Sequence, residues 1–496
     1  MNAISPETGA VFLLYLAAMT GIGIFYWQKT ASVSEYILGN RDLGWFVTAL
    51  SAEASDMSGW LLIGLPGLAY ACGLQAGWVA LGLIAGTFLN WKFIAPALRL
   101  YSRRAGDALT IPEFFRNRFH DSSDQVGIIC AVFILIFFVI YTSAQFVAGG
   151  KLFETVFGID YRIAILIGSG IVIAYTVTGG FRAVCVTDTI QGIMMFFAIL
   201  IVPVTGMILI GGPGAAISAV MHDNPYLLNP FVGPDGTPLT FIAIISLLAW
   251  GLGYFGQPHI LVRFMAIRKP EEIRNARLVA TAWVCLTLGA AVAVGLVGRA
   301  VLTQPLPGTA SETVFMVMTL DLLPSLLAGI VLCGILAAIM STASSILLVT
   351  ASALSEDVYL PLIRPRASGL ELLWVSRIAV LIIAGLALLL ALNPESFVFS
   401  LVAYAWAGFG AAFGPAVLAS LFWRRTTRNG ILAGIIAGGL TVLVWKQFAF
   451  FGLYEILPGF FLSMAAIWIV SRLSPVPAPA ITREFDQVRE ETRRLG

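Results

Sequence analysis

Charge is scarce in this sequence. Lys, Arg, Asp and Glu supply 11% of its 496 residues, against about 25% in a typical soluble domain. The histidines number three, His120, His222 and His259, and lie far apart, so no imidazole pair is available for a transition metal. The five cysteines, Cys72, Cys130, Cys185, Cys285 and Cys333, show no CxxC or other metal spacing. They sit in or near apolar stretches and read as buried thiols. A net charge of +2 gives no footprint for nucleic acid. No HExxH, GxSxG or P-loop occurs, so nothing points to an enzyme. The first ten residues hold Glu7 but no Lys or Arg. That is not the basic flank of a cleaved signal peptide, and the first apolar run is expected to stay as a span.

What the chain has is hydrocarbon: 59% of it is hydrophobic. A span needs about 20 mainly apolar residues. Thirteen such stretches are predicted, at about 7–27, 45–71, 75–98, 124–150, 162–179, 188–212, 239–260, 276–304, 324–354, 373–393, 397–423, 428–448 and 452–472. The basic residues test the count. With the N-terminus outside, 25 of the 29 Lys and Arg fall on inner segments and Lys151, Arg162, Arg299 and Lys446 on outer ones. Thirteen spans then leave the C-terminus inside. The tail from Ser474 is Pro-rich, then charged and helix-prone.

Against this background, residues 51–67 stand out: SAEASDMSGWLLIGLPG. Two carboxylates and three hydroxyls interrupt a membrane segment, followed by Gly59, Gly64, Pro66 and Gly67. The seventh span, LLAWGLGYFGQPHI (247–260), carries Gly251, Gly253, Gly256 and Pro258. The ninth, GILAAIMSTASSILLVTASALSED (334–357), carries a hydroxyl cluster. Glycine and proline loosen the backbone ladder. Bare backbone at membrane depth is tolerated only where protein or water covers it. Kinks also serve helix packing, and Ser/Thr hydroxyls also bond back to their own helix. Intramembrane carboxylates such as Asp56, by contrast, are functional by default. Together the three features predict a midplane cavity of the kind found in secondary transporters.

The chemistry fits a hard cation with oxygen ligands. Ser341 and Thr342 offer hydroxyls, and an unwound segment around Ala54–Met57 would offer carbonyls. Trp250, Tyr254 and Pro258 are spaced four apart and are expected on one helical face. Trp60 and Tyr141 add further rings, suited to a small solute with an apolar body and a charge. A helix restart near Ser58–Trp60 would aim free amides at a substrate carboxylate.

ASDMSGWLLIGLPG (54–67), TDTIQ (187–191), the run from WGLGYFGQPHIL (250–261) to Arg263–Phe264, and ILAAIMSTASS (335–345) resemble the sodium:solute symporter family. AYAWAGFGAAFGP (403–415) and TRNG (427–430) resemble its proline-carrying branch. The likeness runs in order from about residue 36 to 459. It implies an all-α membrane protein with a leucine-transporter-like core of two inverted five-helix repeats. The expected organisation is a first helix and cytoplasmic loop (1–40), a ten-helix core (41–423), two additional helices (424–473) and a cytoplasmic tail (474–496). It implies sodium bound by Ala54, Met57, Ala338, Ser341 and Thr342. It ties Asp56, Asp188 and Arg41 to sodium coupling. It puts Ser58, Gly59, Trp60, Gly64, Tyr141, Trp250, Tyr254 and Pro258 at the substrate. Expected partners are L-proline, a sodium ion and the bilayer of a bacterial plasma membrane, with no cofactor. Another solute of the family (a carboxylate, a sugar or a choline-like cation) is the alternative. A sensor built on a transporter body would need an output domain beyond a tail of about two dozen residues. Glu53 departs from the glycine that one member of the family carries at that position. Glu53 and Asp56 share a helix face at i and i+3. Either Glu53 packs outward against a polar partner, the favoured reading, or it adds charge near the ion path.

Overall fold

The computed structural model describes residues 5–27, 37–178, 180–448 and 450–495. Residues 28–36, most of the loop expected to follow the first helix, lie outside the described residues. Among the described residues the chain is helical, with two isolated β-bridges, Leu43 with Ile267 and Val232 with Pro238.

Among the described residues, nine helices are long and apolar enough to cross a bilayer, and a pair bent by 46°, Phe241–Gly256 with Pro258–Ala266, makes ten. Three more follow from geometry. The run Trp45–Arg104 has 60 residues. Straight, it would measure about 90 Å, roughly three hydrocarbon cores. Gly73, at φ +67°, divides it into two passes. The apolar helices Tyr161–Thr178 and Pro6–Trp27 supply the others. Each of the thirteen expected spans therefore finds a helix.

The breaks fall close to the Gly/Pro signals, but their details differ. In the second span the helix Trp45–Gly59 is regular through Met57, and the non-helical residue is Ser58 (φ 50°, ψ −174°). The unwinding expected at Ala54–Met57 is thus shifted toward Gly59, and a π turn, Trp60–Gly64, follows. In the seventh span an α-helix, Phe241–Leu248, tightens to a 3₁₀ segment, Ala249–Gly256. Gln257 is extended, and Pro258 opens the next helix, Pro258–Ala266. The ninth span is unbroken over Ser325–Ser352. Its hydroxyls fold back on the helix, Ser344 Oγ to the Ser341 carbonyl at 3.2 Å and Thr350 Oγ1 to that of Ile346 at 2.6 Å. A second π turn, Asn90–Ile94 in the third span, is followed two residues on by Pro96, as Trp60–Gly64 is by Pro66.

Tight backbone approaches hold the broken spans in place. A Cβ on Gly253 would sit 1.9 Å from Trp406 Nε1, and one on Gly251 would sit 2.2 Å from the Gly82 carbonyl oxygen. Only glycine lets the seventh span lie this close to the eleventh and the third.

Candidate functional site

The second and ninth spans meet through oxygen atoms. Ser341 Oγ donates to the Ala54 carbonyl at 2.8 Å and also lies 3.1 Å from the Ala338 carbonyl. Thr342 Oγ1 reaches the Ala54 carbonyl at 3.5 Å. Four of the five expected ion positions therefore converge on one cage. The fifth, Met57, presents its carbonyl to the Trp60 N–H. All five residues are buried. Two hydroxyls and backbone carbonyls are hard, uncharged oxygen ligands, which suit an alkali cation and not a soft metal.

The free amides anticipated at Ser58–Trp60 have partners. Gly59 N–H donates to Gln145 Oε1 at 3.1 Å, and Trp60 N–H to Ser58 Oγ at 3.0 Å. Side chains thus satisfy the backbone groups freed by the break.

Beside the cage lies the aromatic wall. Trp60 and Trp250 stack with centroids 5.2 Å apart at 29°. Phe399 joins them, 6.3 Å from Trp60 and 5.0 Å from Trp250. Gly64 lies under this lid: a Cβ there would be 3.0 Å from the Trp60 ring and 3.4 Å from Phe399. Below it, Asp56, Trp60, Tyr141, Trp250 and Trp406 enclose a gap of about 10 Å³, room for roughly one water. A solute fits only when these walls part. Tyr141 OH donates to the Asp56 carbonyl at 3.0 Å, and Tyr254 OH to Asp56 Oδ2 at 2.6 Å. Pro258 lies apart. The single face expected for Trp250, Tyr254 and Pro258 ends at Gln257, and Pro258 borders a separate crevice with Ile134 and Val262. The physical reason is the change from α to 3₁₀ winding and then to extended backbone, which cancels the four-residue register.

The carboxylates have distinct settings. Asp188 is fully buried and paired with Arg263 Nη2 at 2.9 Å. It also accepts from Ser51 Oγ at 2.7 Å and lies 3.5 Å from Ser345 Oγ. Glu53 accepts from Trp91 Nε1 at 3.0 Å. That is the polar partner favoured for it, supplied by the π turn of the third span. Arg41 is a tie between loops. Its Nε lies 2.8 Å from Asp107, and its Nη atoms donate to the Met265 carbonyl at 2.8 Å and the Ala108 carbonyl at 2.6 Å.

Four side chains enter the site that sequence pattern does not mark: Gln145, Arg263, Trp406 and Trp91. A signal existed for the first two, since a buried Gln or Arg in an apolar helix needs a partner. Gln257, in the break itself, donates to the Gly253 carbonyl at 3.3 Å and the Trp406 carbonyl at 3.2 Å.

A helical bundle with two discontinuous spans, an oxygen cage and an aromatic-walled gap between them is the architecture of a secondary transporter. Comparison with known proteins specifies which kind. The profile of the sodium:solute symporter family matches residues 36–438, and the chain belongs to that family. It is a transporter, not an enzyme. The chain is 47% identical over 488 residues to the sodium/proline symporter of Escherichia coli (strain K12), covering 97% of this chain and 96% of that protein. It is 46% identical over 487 residues to the osmoregulated proline transporter OpuE of Bacillus subtilis (strain 168), covering 97% and 98%. Among solved structures, a Na⁺-coupled sialic acid symporter in a substrate-bound outward-open state superposes with a TM-score of 0.78 at 18% identity, over 96% of this chain and 99% of that one. The nucleobase-cation-symport transporter MHP1 gives 0.53 at 14% identity, over 91% and 98%. The fold is the leucine-transporter-like one that the motifs imply.

Proposed function

We propose that this chain carries L-proline inward together with sodium, by alternating access, across a bacterial plasma membrane. The N-terminus lies outside and the C-terminus in the cytoplasm. Family membership supports the ion, and the names of relatives at 44–47% identity support proline over other solutes. The observation that carries the reading is Ser341 Oγ, held between the carbonyl oxygens of Ala54 (2.8 Å) and Ala338 (3.1 Å) across two spans.

In this reading sodium enters first and is held by the Ala54, Met57 and Ala338 carbonyls and the Ser341 and Thr342 hydroxyls. The ion pins the broken second span to the ninth helix. That orders Ser58, Gly59 and Gly64 beneath the rings of Trp60, Tyr141, Trp250 and Tyr254, with Pro258 at the restart of the seventh span. Proline binds among them, with Asp56 between ion and solute. The core, 41–423, then rocks around the loaded site, and the two helices in 424–473 brace it. Asp188 and Arg41 act on the inward side, the first along the ion's exit and the second by holding the loops that frame it. Coupling is a binding free energy, so it is reciprocal: sodium tightens proline and proline tightens sodium.

The drive is adequate. One charge across 100 mV supplies about 2.3 kcal/mol. A tenfold sodium gradient adds about 1.4 kcal/mol. The sum sustains an accumulation of roughly several hundredfold.

The test is uptake of labelled L-proline into proteoliposomes under an inward sodium gradient, then under an equal potassium gradient. Accumulation with sodium alone is expected. Uptake driven equally well by a proton gradient without sodium overturns the ion. Sodium-dependent binding of a different solute, with none of proline, overturns the substrate.

A further inference from the structure

A cavity of about 750 Å³ opens at the end of the bundle where the third span finishes, the eighth begins and the C-terminal helix Pro479–Leu495 lies. It is far larger than the gap at the ion and solute positions. Five cations line it: Lys92, Arg274, Arg277, Arg489 and Arg493. Glu271 is the one carboxylate on its wall. Among the described residues, none of the five cations lies within ion-pair distance of a carboxylate. Arg277 Nε is buried there without a hydrogen bond. Lys92, Arg274, Arg489 and Arg493 are exposed, and Lys92 and Arg277 lie over the Phe88 ring; so many like charges on one concave wall raise its attraction for an anion.

The C-terminal helix holds its charges in two ways. Three of its carboxylates are fastened to the bundle: Asp486 to Arg424 at 2.9 Å, Glu491 to Arg104 at 2.5 Å and Glu484 to His120 at 3.3 Å. Phe485 and Val488 are buried beneath it. Arg489 and Arg493, one turn apart, are left on the cavity. The mouth is apolar: Phe93 and Phe422, at the ends of the third and eleventh spans, are each 48% exposed.

We propose that this cavity binds the phosphate headgroup of an anionic phospholipid, with the acyl chains running past Phe93 and Phe422. The shared chemistry is a phosphate held by guanidinium forks. The apolar mouth at a span's end, on the face that carries the chain's arginine excess, selects a lipid over free phosphate. The site bridges the C-terminal helix, the third span (whose Trp91 holds Glu53) and the start of the eighth.

The full-length protein, embedded in nanodiscs of phosphatidylcholine and phosphatidylglycerol, is released and weighed by native mass spectrometry. It is expected to retain phosphatidylglycerol preferentially. The triple variant Arg274→Gln/Arg277→Gln/Arg489→Gln should retain it at least tenfold less, with phosphatidylcholine unchanged. The charge-conserving variant Arg274→Lys/Arg277→Lys/Arg489→Lys should retain most of it, which separates a lost charge from a lost fold. Equal retention by wild type and the Gln variant overturns the proposal. So does displacement of the lipid by millimolar inorganic phosphate, which assigns the cavity to a soluble anion. Failure of proline uptake would leave this result untouched.

Discussion

Tyr254 OH donates a 2.6 Å hydrogen bond to Asp56 Oδ2, joining the 3₁₀ segment of the seventh span to the second span just before its break. Both side chains are buried. Removing the hydroxyl leaves a buried carboxylate short of a donor, at a cost of about 1.5–3 kcal/mol. Tyr254→Phe should therefore raise the half-saturating proline concentration roughly tenfold or more while the protein still reaches the membrane. Unchanged transport kinetics would show that the bond plays no part in loading.

Ser341 and Thr342 provide the hydroxyls of the proposed ion cage. The double variant Ser341→Ala/Thr342→Ala loses two of five oxygen ligands. The sodium concentration for half-maximal uptake should rise at least tenfold. Uptake titrated against sodium at fixed proline checks this, and an unaltered sodium curve removes the cage from the mechanism.

Trp250 contributes a ring face to the gap and stacks on Trp60 and Phe399. Trp250→Ala should weaken proline binding more than sodium binding, by about 0.5–1.5 kcal/mol against a smaller change for the ion. Binding of each ligand in detergent separates the two. Equal losses point to a fold defect instead.

Gly253→Ala would drive a methyl to within 1.9 Å of the Trp406 ring. Overpacking of this kind costs about 1–3 kcal/mol or more. Its thermal unfolding midpoint should fall by several degrees, whereas Gly289→Ala, with nothing within 4 Å of the new methyl, should not move it. A neutral Gly253→Ala would mean that the seventh and eleventh spans pack less closely than described.

Glu53 is held by the Trp91 indole N–H. Glu53→Gln keeps an acceptor and should preserve both stability and sodium dependence. Glu53→Ala strands the indole and should cost about 1–3 kcal/mol in unfolding measurements. A changed ion requirement in Glu53→Gln would assign the carboxylate to the ion path.

Much of this fold is legible in the sequence because a bilayer imposes length and polarity rules on every span. The thirteen stretches, and the Gly/Pro clusters at 59–67 and 251–258, follow from those rules. The partners do not. Gln145 meets Gly59 across 86 positions of sequence, and Trp91 meets Glu53 across 38. Such meetings depend on how helices rotate about their axes, which periodicity leaves open in a helix that is apolar all round. The break at Ser58 illustrates the same limit. The polar run located it to within a few residues, but the choice among them rests with Gln145 and Ser58 itself, whose side chains accept the freed amides. Counting in fours groups Pro258 with Trp250, a rule that fails once the winding changes.

The stack of Trp60, Trp250 and Phe399 contains no hydrogen bond between its rings, and the Trp60 indole nitrogen has no hydrogen-bond partner among the described residues. Flat faces joined by dispersion can slide apart without breaking a directional bond. Two indoles 5.2 Å apart also share their excited states. Parting the lid therefore changes the absorption and emission of the protein itself, so the chain carries a built-in optical report of whether its site is covered.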